Sequence, residues 1–180
     1  LDAMPAEVFR TTASGIEEAG VRTAGEGFEW DWRPAPDALA QVAAPLVAGL
    51  PSGYTSEVSL AARGFVRSIA DIIERGAALF IDYGFPRREY YHPQRAEGTL
   101  MCHYRHRAHA DPFFLPGLQD ITAHVDFTAM ADAALAGGME VLGFTTQAHF
   151  LVNAGITDQL AERLQAGRAE DPAWVAQSNA

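Results

Sequence analysis

Residues 77–130 read AALFIDYGFPRREYYHPQRAEGTLMCHYRHRAHADPFFLPGLQDITAHVDFTAM, and this stretch decides the predicted fold. It opens with the apolar run 77–81, which is typical of an interior parallel strand that is buried on both faces. Asp82 ends that run, and Tyr83 and Gly84 follow it at once. The stretch closes on DITAHVD, residues 120–126, just before a predicted helix. In open α/β sheets ligands bind beside the carboxyl ends of the strands, so we expect a site here.

The segment before this stretch predicts the helix of a βαβ unit. Over residues 57–75, apolar side chains from Val58 to Ile73 recur at three- and four-residue spacing, as on the buried stripe of an amphipathic helix. Ser56 is the predicted N-cap, and Gly76 follows the helix in the position of a C′ residue. A helix, a glycine, a buried strand and an acid together form the αβ half of such a unit.

The flanking sequence predicts further short elements. Residues 7–33 contain glycines and the strictly alternating sequence FEWDW at 28–32, which predicts a small antiparallel hairpin or meander. Asp37 is a predicted cap for a helix at 38–48 that contains Pro45. Other helices are predicted at 127–136, 149–154 and 157–166, and another strand at 139–146. The length of 180 residues suits one domain, with its α/β part at 56–166.

Composition excludes several classes of protein. The formal net charge of −10 removes any general electrostatic attraction to nucleic acid or to an anionic membrane. No apolar run approaches the roughly 20 residues needed to span a bilayer. Cys102 is the one cysteine, so no intrachain disulfide is expected, which fits a reducing compartment. The first residues read as the continuation of a longer chain, because they contain neither an initiator Met nor a signal sequence.

Polar clusters in residues 77–130 leave more than one chemistry open. His103, His106 and His109 lie near Cys102, but three-residue steps do not direct side chains to one point, so we predict no metal site. Hydrogen bonds within the loop are the simpler role for them. Five arginines within 21 positions could hold an anionic group or form salt bridges: Arg87, Arg88, Arg95, Arg105 and Arg107. No nucleophile elbow, Walker loop or G-x-G-x-x-G sequence occurs.

Several quoted segments resemble the MidA-like family of S-adenosyl-L-methionine (SAM)-dependent methyltransferases. They are AALFIDYGF, GTLMCHYRHRAH, DPFFLPGLQDITAHVDF, HFLVNAGI and the opening LDAMP, which is similar to the end of the family motif N-E-x-x-D-A-x-P. Mitochondrial members assist complex I assembly and methylate an arginine of a protein subunit. The resemblance implies the C-terminal half of a Rossmann-like class I methyltransferase sheet, with the meander at 7–33 as a small antiparallel β insertion. The glycine-rich SAM loop would precede Leu1, so the cofactor site would lie mostly outside this chain.

The resemblance and the strand ends together suggest roles for eight residues. Carboxylates are the expected helpers for arginine methylation, because they bind a guanidinium and accept its proton. We expect Asp2, Asp82 and Asp126 to be catalytic. Substrate binding is expected from the residues around them: Tyr83, Gly84, His106, Asp120 and His124. From its spacing alone, Asp82 is equally well explained by a turn or capping role before Gly84.

Three function classes remain open from the sequence. The first is a methyltransferase acting on a protein substrate, inactive as this fragment. The second is a non-catalytic protein-binding or assembly module derived from that fold, and the third, distant from both, is a metal-dependent hydrolase. The predicted location is the cytoplasm of a bacterium, or the mitochondrial matrix in a eukaryote. An apolar strand such as 77–81 needs a cover, which other sequence or a second copy in a homo-oligomer would provide.

Overall fold

The computed structural model describes residues 1–165, which form a mixed α/β structure. The chain divides into two compact units, Leu1–Val141 and a second unit that begins at Leu142, and the single domain stays a prediction. The last residue of the helix predicted at 157–166 lies outside the described residues. Among residues 1–165, no helix is long and apolar enough to cross a membrane.

A four-stranded antiparallel sheet confirms the predicted meander and enlarges it. The meander consists of β1 (Glu7–Thr12), β2 (Gly15–Ala24) and β3 (Gly27–Pro34). Gly25 has a φ of +58°, a value that glycine tolerates best, and it allows the tight turn between β2 and β3. β4 (Thr55–Val58) pairs with the other side of β1, so the strand order is β3-β2-β1-β4.

One face of this sheet is covered by helices. α1 (Asp37–Leu46) carries Pro45 in its last turn, and Pro36 rather than Asp37 occupies its N-cap position. The short α3 (Arg87–Tyr90) adds two buried tyrosines. The apolar core between these elements consists of Phe9, Leu39, Ala43, Val47, Tyr54, Val58, Tyr90 and Tyr91.

The predicted helix at 57–75 is shorter than expected at both ends. α2 spans Leu60–Ile72, and the hydroxyl of Ser59, not of Ser56, caps it by accepting the Ala62 N–H at 3.0 Å. Residues 55–58 pair with β1 instead, because an extended neighbour satisfies their backbone groups there. The helix also ends before Gly76, so the predicted C′ glycine is wrong.

A second core joins α2 to α4 (Phe127–Ala136), whose bounds match the prediction. Its buried members are Ala62, Val66, Val125, Ala129, Met130 and Ala133. The remaining strands are short. β5 (Gly84–Phe85) pairs in parallel with β9 (Val125–Asp126). A separate antiparallel sheet consists of β6 (Met101–Tyr104), β7 (Arg107–His109) and β8 (Asp120–Thr122), in the order β7-β6-β8.

The strands predicted at 77–81 and 139–146 are wrong for the described residues. Neither segment pairs with a strand there. Leu79 and Ile81 are each 62% exposed, so 77–81 is not a buried strand either. The physical reason is that an apolar sequence becomes a strand only when neighbouring backbone groups satisfy its N–H and C=O groups, and residues 1–165 provide none. The Rossmann-like half sheet therefore stays a prediction.

The second unit contains two described helices. α5 (Gln147–Asn153) is capped by Thr146, whose hydroxyl accepts the His149 N–H at 3.3 Å. α6 spans Ile156–Gln165. Both helices lie within one or two residues of their predicted starts, because capping residues and glycines mark their ends clearly in sequence.

Candidate functional site

Three segments that are distant in sequence meet beside the β5–β9 pair. The N–H of Ala123 donates to the carbonyl of Asp2 at 2.9 Å, and the N–H of Asp2 donates to the Asp82 carboxylate at 3.3 Å. The N–H of Val125 donates to the carbonyl of Tyr83 at 2.8 Å. These contacts bring together the adjoining segments that carry six of the predicted residues: Asp2, Asp82, Tyr83, Gly84, His124 and Asp126.

Gly84 is needed at this junction because two backbones approach closely. A Cβ at this position would lie 2.1 Å from the carbonyl oxygen of Val125 and 2.8 Å from its nitrogen. Those atoms belong to the backbone, so they cannot rotate away as a side chain would. The glycine after Asp82 and Tyr83 therefore sets the distance between β5 and β9, and with it the position of Asp126.

The two carboxylate oxygens of Asp126 have different surroundings. Its Oδ1 accepts the Ala129 N–H at 3.0 Å, which caps α4. Its Oδ2 is buried and has no hydrogen-bond partner among residues 1–165. The nearest cation is Arg87, whose Nε lies 3.7 Å from Oδ2 and is itself buried without a hydrogen bond in that part of the chain. Burial raises the pKa of Asp126, although the Ala129 N–H and the Arg87 charge oppose this effect.

Glu57 on β4 is a second buried carboxyl group, with 1% of the residue exposed. Its Oε1 accepts the Tyr90 hydroxyl at 2.9 Å, the Thr99 N–H at 2.8 Å and the Thr99 hydroxyl. Burial raises the pKa of Glu57, and the hydrogen bonds from Thr99 and Tyr90 act in the opposite direction. The Thr99 hydroxyl also accepts the His124 N–H at 2.9 Å, so Glu57 is linked to the segment that carries Asp126.

Both buried carboxyl groups line the same cavity, of about 30 Å³. Asp2, Arg63 and His124 line it as well. That volume is room for one or two water molecules, so the cavity is a polar pocket and not yet a ligand-sized site. We refer to it below as the acid pocket.

Aromatic side chains form much of the acid pocket wall. Tyr90 and Tyr91 both line it, with ring centroids 4.8 Å apart. Burial raises the pKa of each hydroxyl, and the next largest contribution is the charge of Glu57 for Tyr90 and of Asp126 for Tyr91. Both tyrosines therefore stay neutral hydrogen-bond donors. The ring of His124 stacks on Phe85, with centroids 5.1 Å apart.

Four of the five predicted substrate-binding residues do not line the acid pocket: Tyr83, Gly84, His106 and Asp120. His106 is exposed at the turn between β6 and β7, with a φ of +63°. Asp120 is exposed on β8, opposite His103. Tyr83, although close by in sequence, is 77% exposed and does not line the pocket. Within residues 1–165, no group of three or more His, Cys, Asp or Glu side chains is arranged to hold a metal ion.

Sequence reasoning missed Glu57, Tyr90 and Tyr91. Glu57 is the first residue of the predicted helix at 57–75, and only its pairing with Val8 across β4 and β1 makes it a buried residue. A weak signal was present, since Glu57 lies between Ser56 and Val58 in a segment that carries no other charge. Tyr90 and Tyr91 form an adjacent aromatic pair, which gave no clear indication of which face was buried.

Comparisons with known proteins identify the family. Residues 1–145 match the family described as "Putative S-adenosyl-L-methionine-dependent methyltransferase". The chain is 31% identical to the mitochondrial protein arginine methyltransferase NDUFAF7 of Danio rerio, over 98% of this chain and 39% of that protein.

Two crystal structures from Burkholderia thailandensis are also similar. One was solved with bound S-adenosyl-homocysteine; it is 50% identical, has a TM-score of 0.87, and is matched over 98% of this chain and 46% of that one. The other is a native structure, 51% identical with a TM-score of 0.86, matched over 97% of this chain and 47% of that one. The chain thus spans less than half the length of each of these relatives. It belongs to the family of SAM-dependent methyltransferases, whose cofactor is S-adenosyl-L-methionine.

Proposed function

We propose that this chain supplies the acceptor side of a methyltransferase that modifies an arginine of a protein substrate. The observation that carries this proposal is Asp126, which lines the acid pocket and whose buried Oδ2 has no hydrogen-bond partner among residues 1–165. Glu57 and Asp2 line the same pocket, so three carboxyl groups converge there. The arginine methyltransferase named among the relatives supports the choice of acceptor.

Carboxylates suit an arginine acceptor for two reasons. The planar guanidinium offers a fork of N–H donors that matches a carboxylate, and the charge assists the hydrogen bond. A guanidinium nitrogen that accepts a methyl group must also lose a proton, and a carboxylate with a raised pKa holds a proton better than an exposed one. Asp126 meets both requirements, since its Oδ2 accepts no hydrogen bond from residues 1–165 and burial raises its pKa. Asp82 lies one contact away and would hold Asp2 in place.

We infer that the acid pocket is not the SAM site. The acid pocket of about 30 Å³ is far smaller than the roughly 300–1,000 Å³ of a typical cofactor site. We therefore place the cofactor site mostly outside this chain, in sequence that the longer relatives carry. The exposed segment 77–81 agrees with this placement, because an added neighbour would turn it into the interior strand of a Rossmann-like sheet. SAM supplies the methyl group, and this chain binds and orients the acceptor.

Substitution of Asp126 by asparagine in the complete enzyme tests this proposal. Asparagine keeps the N-cap of α4, because its side-chain oxygen accepts the same N–H, but it removes the charge at Oδ2. We expect transfer of labelled methyl groups to a protein arginine to fall by about 100-fold or more, the usual contribution of a general base. The matched control is Asp132→Asn on the same helix, since Asp132 is exposed and also pairs with Arg87. Equal activity of the two variants would remove Asp126 from the reaction.

The alternative, a non-catalytic assembly module, predicts a different result. A module would bind its partner without methyl transfer, and neither variant would change a transfer rate that is already absent. Methylarginine detected by mass spectrometry in the partner would rule out this alternative. We expect a bacterial enzyme to do this in the cytoplasm, in line with the bacterial crystal structures.

A further inference from the structure

Residues 123–125 connect β8 to β9, and each of them donates a hydrogen bond to a different segment of the chain. The first and last N–H groups donate to the backbone carbonyls of Asp2 and Tyr83, at 2.9 and 2.8 Å. The middle N–H, that of His124, donates instead to a side chain, the hydroxyl of Thr99, at 2.9 Å. It is therefore the bond of the three that a side-chain substitution can remove without a change in the backbone.

Glu57 sets the direction of this hydrogen bond. Its Oε1 accepts the Thr99 N–H at 2.8 Å and the Tyr90 hydroxyl at 2.9 Å, so this oxygen is a hydrogen-bond acceptor. It also accepts the Thr99 hydroxyl. A hydroxyl group has one hydrogen and two lone pairs. Because the Thr99 hydroxyl gives its hydrogen to Glu57, a lone pair remains for the His124 N–H.

The hydrogen bonds around Thr99 are shielded from water. Thr99 is 7% exposed, Tyr90 is 2% exposed, and Glu57 is buried more deeply still. Hydrogen bonds are stronger in such surroundings than in water, and a buried group that loses its partner is costly to the fold. Gly98 lies so close to Glu57 that an added Cβ would be 2.3 Å from its Oε2, so the loop has no room to move inward. The Thr99 hydroxyl is therefore held in one position.

Asp126 follows His124 by two residues, so its position depends on this connection. One hydrogen bond, from the Ala129 N–H to Oδ1 at 3.0 Å, orients its carboxylate from within α4. The backbone that carries Asp126 is held from outside α4, by residues 123–125 and by the pairing of β9 with β5. A displacement of about 1 Å can lower a reaction rate by about 100-fold, so a bond that fixes this backbone affects the reaction.

From these observations we propose that Thr99 is a positioning residue for Asp126 and that Glu57 orients its hydroxyl. Thr99 does not line the acid pocket. It acts through the His124 N–H on the backbone that carries Asp126. This inference rests on the proposed function, which it deepens by giving a role to the buried polar cluster beside the acid pocket.

Thr99→Val in the complete enzyme tests this role. Valine has a similar volume but no hydroxyl, so the His124 N–H loses its acceptor. We expect kcat for methyl transfer to a protein substrate to fall at least tenfold and KM to change less than twofold, because a displaced Asp126 impairs the reacting step. Thr99→Ser keeps the hydroxyl and loses only a methyl group, so its kcat should stay within threefold of the parent value.

Thr11→Val is the matched control. Thr11 is 8% exposed, and its hydroxyl also donates one bond and accepts another: it donates to the carbonyl of Pro51 at 2.7 Å and accepts the Tyr54 N–H at 3.0 Å. Thr11→Val should therefore lose a similar amount of stability, but its kcat should stay within twofold of the parent value. Equal falls in kcat for Thr11→Val and Thr99→Val would overturn the proposal, because general destabilisation would then explain both. Equal falls for Thr99→Ser and Thr99→Val would overturn it as well, because the hydroxyl would not be the cause.

Amide hydrogen exchange on the chain itself tests the positioning without methyl transfer. In Thr99→Val the His124 amide should exchange at least tenfold faster than in the parent, because it has lost its acceptor. The Ala129 amide should also exchange at least tenfold faster, because a displaced Asp126 caps α4 less well. Thr11→Val should change both rates less than threefold. An unchanged rate at Ala129 would overturn the proposal, since Asp126 would then not depend on Thr99.

The two assays together separate an error in the positioning from an error in the function. If both amides respond but the complete enzyme methylates no arginine, the proposed function is wrong and the positioning of Asp126 stands. If Asp126→Asn abolishes methylation and Thr99→Val behaves like Thr11→Val, the function stands and the positioning is wrong. Circular dichroism checks that each variant is folded. If Thr99→Val does not fold, Thr99→Cys replaces it with the same expected results, because a thiol is a weak acceptor.

Discussion

Replacement of Gly84 by alanine tests the junction that positions the acid pocket. An added Cβ would lie 2.1 Å from the Val125 carbonyl oxygen, so the two backbones must separate by about 1 Å or more. Overpacking of this kind costs about 1–3 kcal/mol. The hydrogen bond from the Val125 N–H to the Tyr83 carbonyl would also weaken, at a net cost of about 1 kcal/mol. We expect the free energy of unfolding to fall by about 2–4 kcal/mol in total.

Urea denaturation followed by circular dichroism measures this loss. Gly64→Ala is the matched control, because Gly64 lies in the interior of α2 and no atom lies within 4 Å of its added Cβ. That change should stabilise the chain by about 0.5–1 kcal/mol, since alanine loses less backbone entropy in a helix. If Gly84→Ala lies within 0.5 kcal/mol of the parent chain, or shifts in the same direction as Gly64→Ala, the close approach is not a constraint.

Other expected outcomes concern Glu57, Gly98, Ser59 and the cofactor. Folding raises the pKa of Glu57, so the stability of the parent chain falls as the pH rises above the ordinary glutamate value of 4.5. Glutamine does not titrate, so Glu57→Gln should gain stability relative to the parent between pH 4 and pH 8 in urea titrations. A stability difference that stays constant over this range would contradict the raised pKa. Gly98→Ala should lower the free energy of unfolding more than Gly117→Ala. Both glycines have a positive φ, but only at Gly98 would an added Cβ lie close to Glu57 Oε2, at 2.3 Å. Equal losses of stability would mean that backbone strain is the whole effect. Ser59→Ala should lower stability by about 1 kcal/mol through loss of the α2 cap, measured by thermal unfolding, and no change would mean that the cap is dispensable. Calorimetry should detect no SAM binding to the 180-residue chain, and micromolar affinity would place the cofactor site within it.

Local signals made α4 and its cap predictable. Asp126 precedes a run of helix formers that ends in two glycines, and each of these residues acts on backbone groups within a few positions of itself. The meander was predictable for the same reason, because strict alternation and turn glycines are local. Six of the predicted site residues lie on adjoining segments, but no strand at 77–81 precedes Asp82 in the described chain, so the rule of polar groups at strand ends does not account for their position, and their roles stay predictions.

The other differences arise where strand pairing between distant segments decides the structure, because such pairing leaves no local sequence pattern. Ser56 and Ser59 are equally suitable caps, and the pairing of β4 with β1 decided for Ser59. The same pairing buries Glu57, which the sequence predicts as the first residue of a helix. His106 and Asp120 were assigned to the site by their residue types, but β6, β7 and β8 form a separate sheet that holds them elsewhere.

The exposed segment 77–81 has a consequence for how this polypeptide behaves in a cell. Leu79 and Ile81 present apolar side chains to water on a backbone with no strand partner in the described chain. Such segments are the usual starting points for intermolecular β pairing, and chaperones bind them. Until it is covered, this five-residue stretch would favour aggregation of the chain.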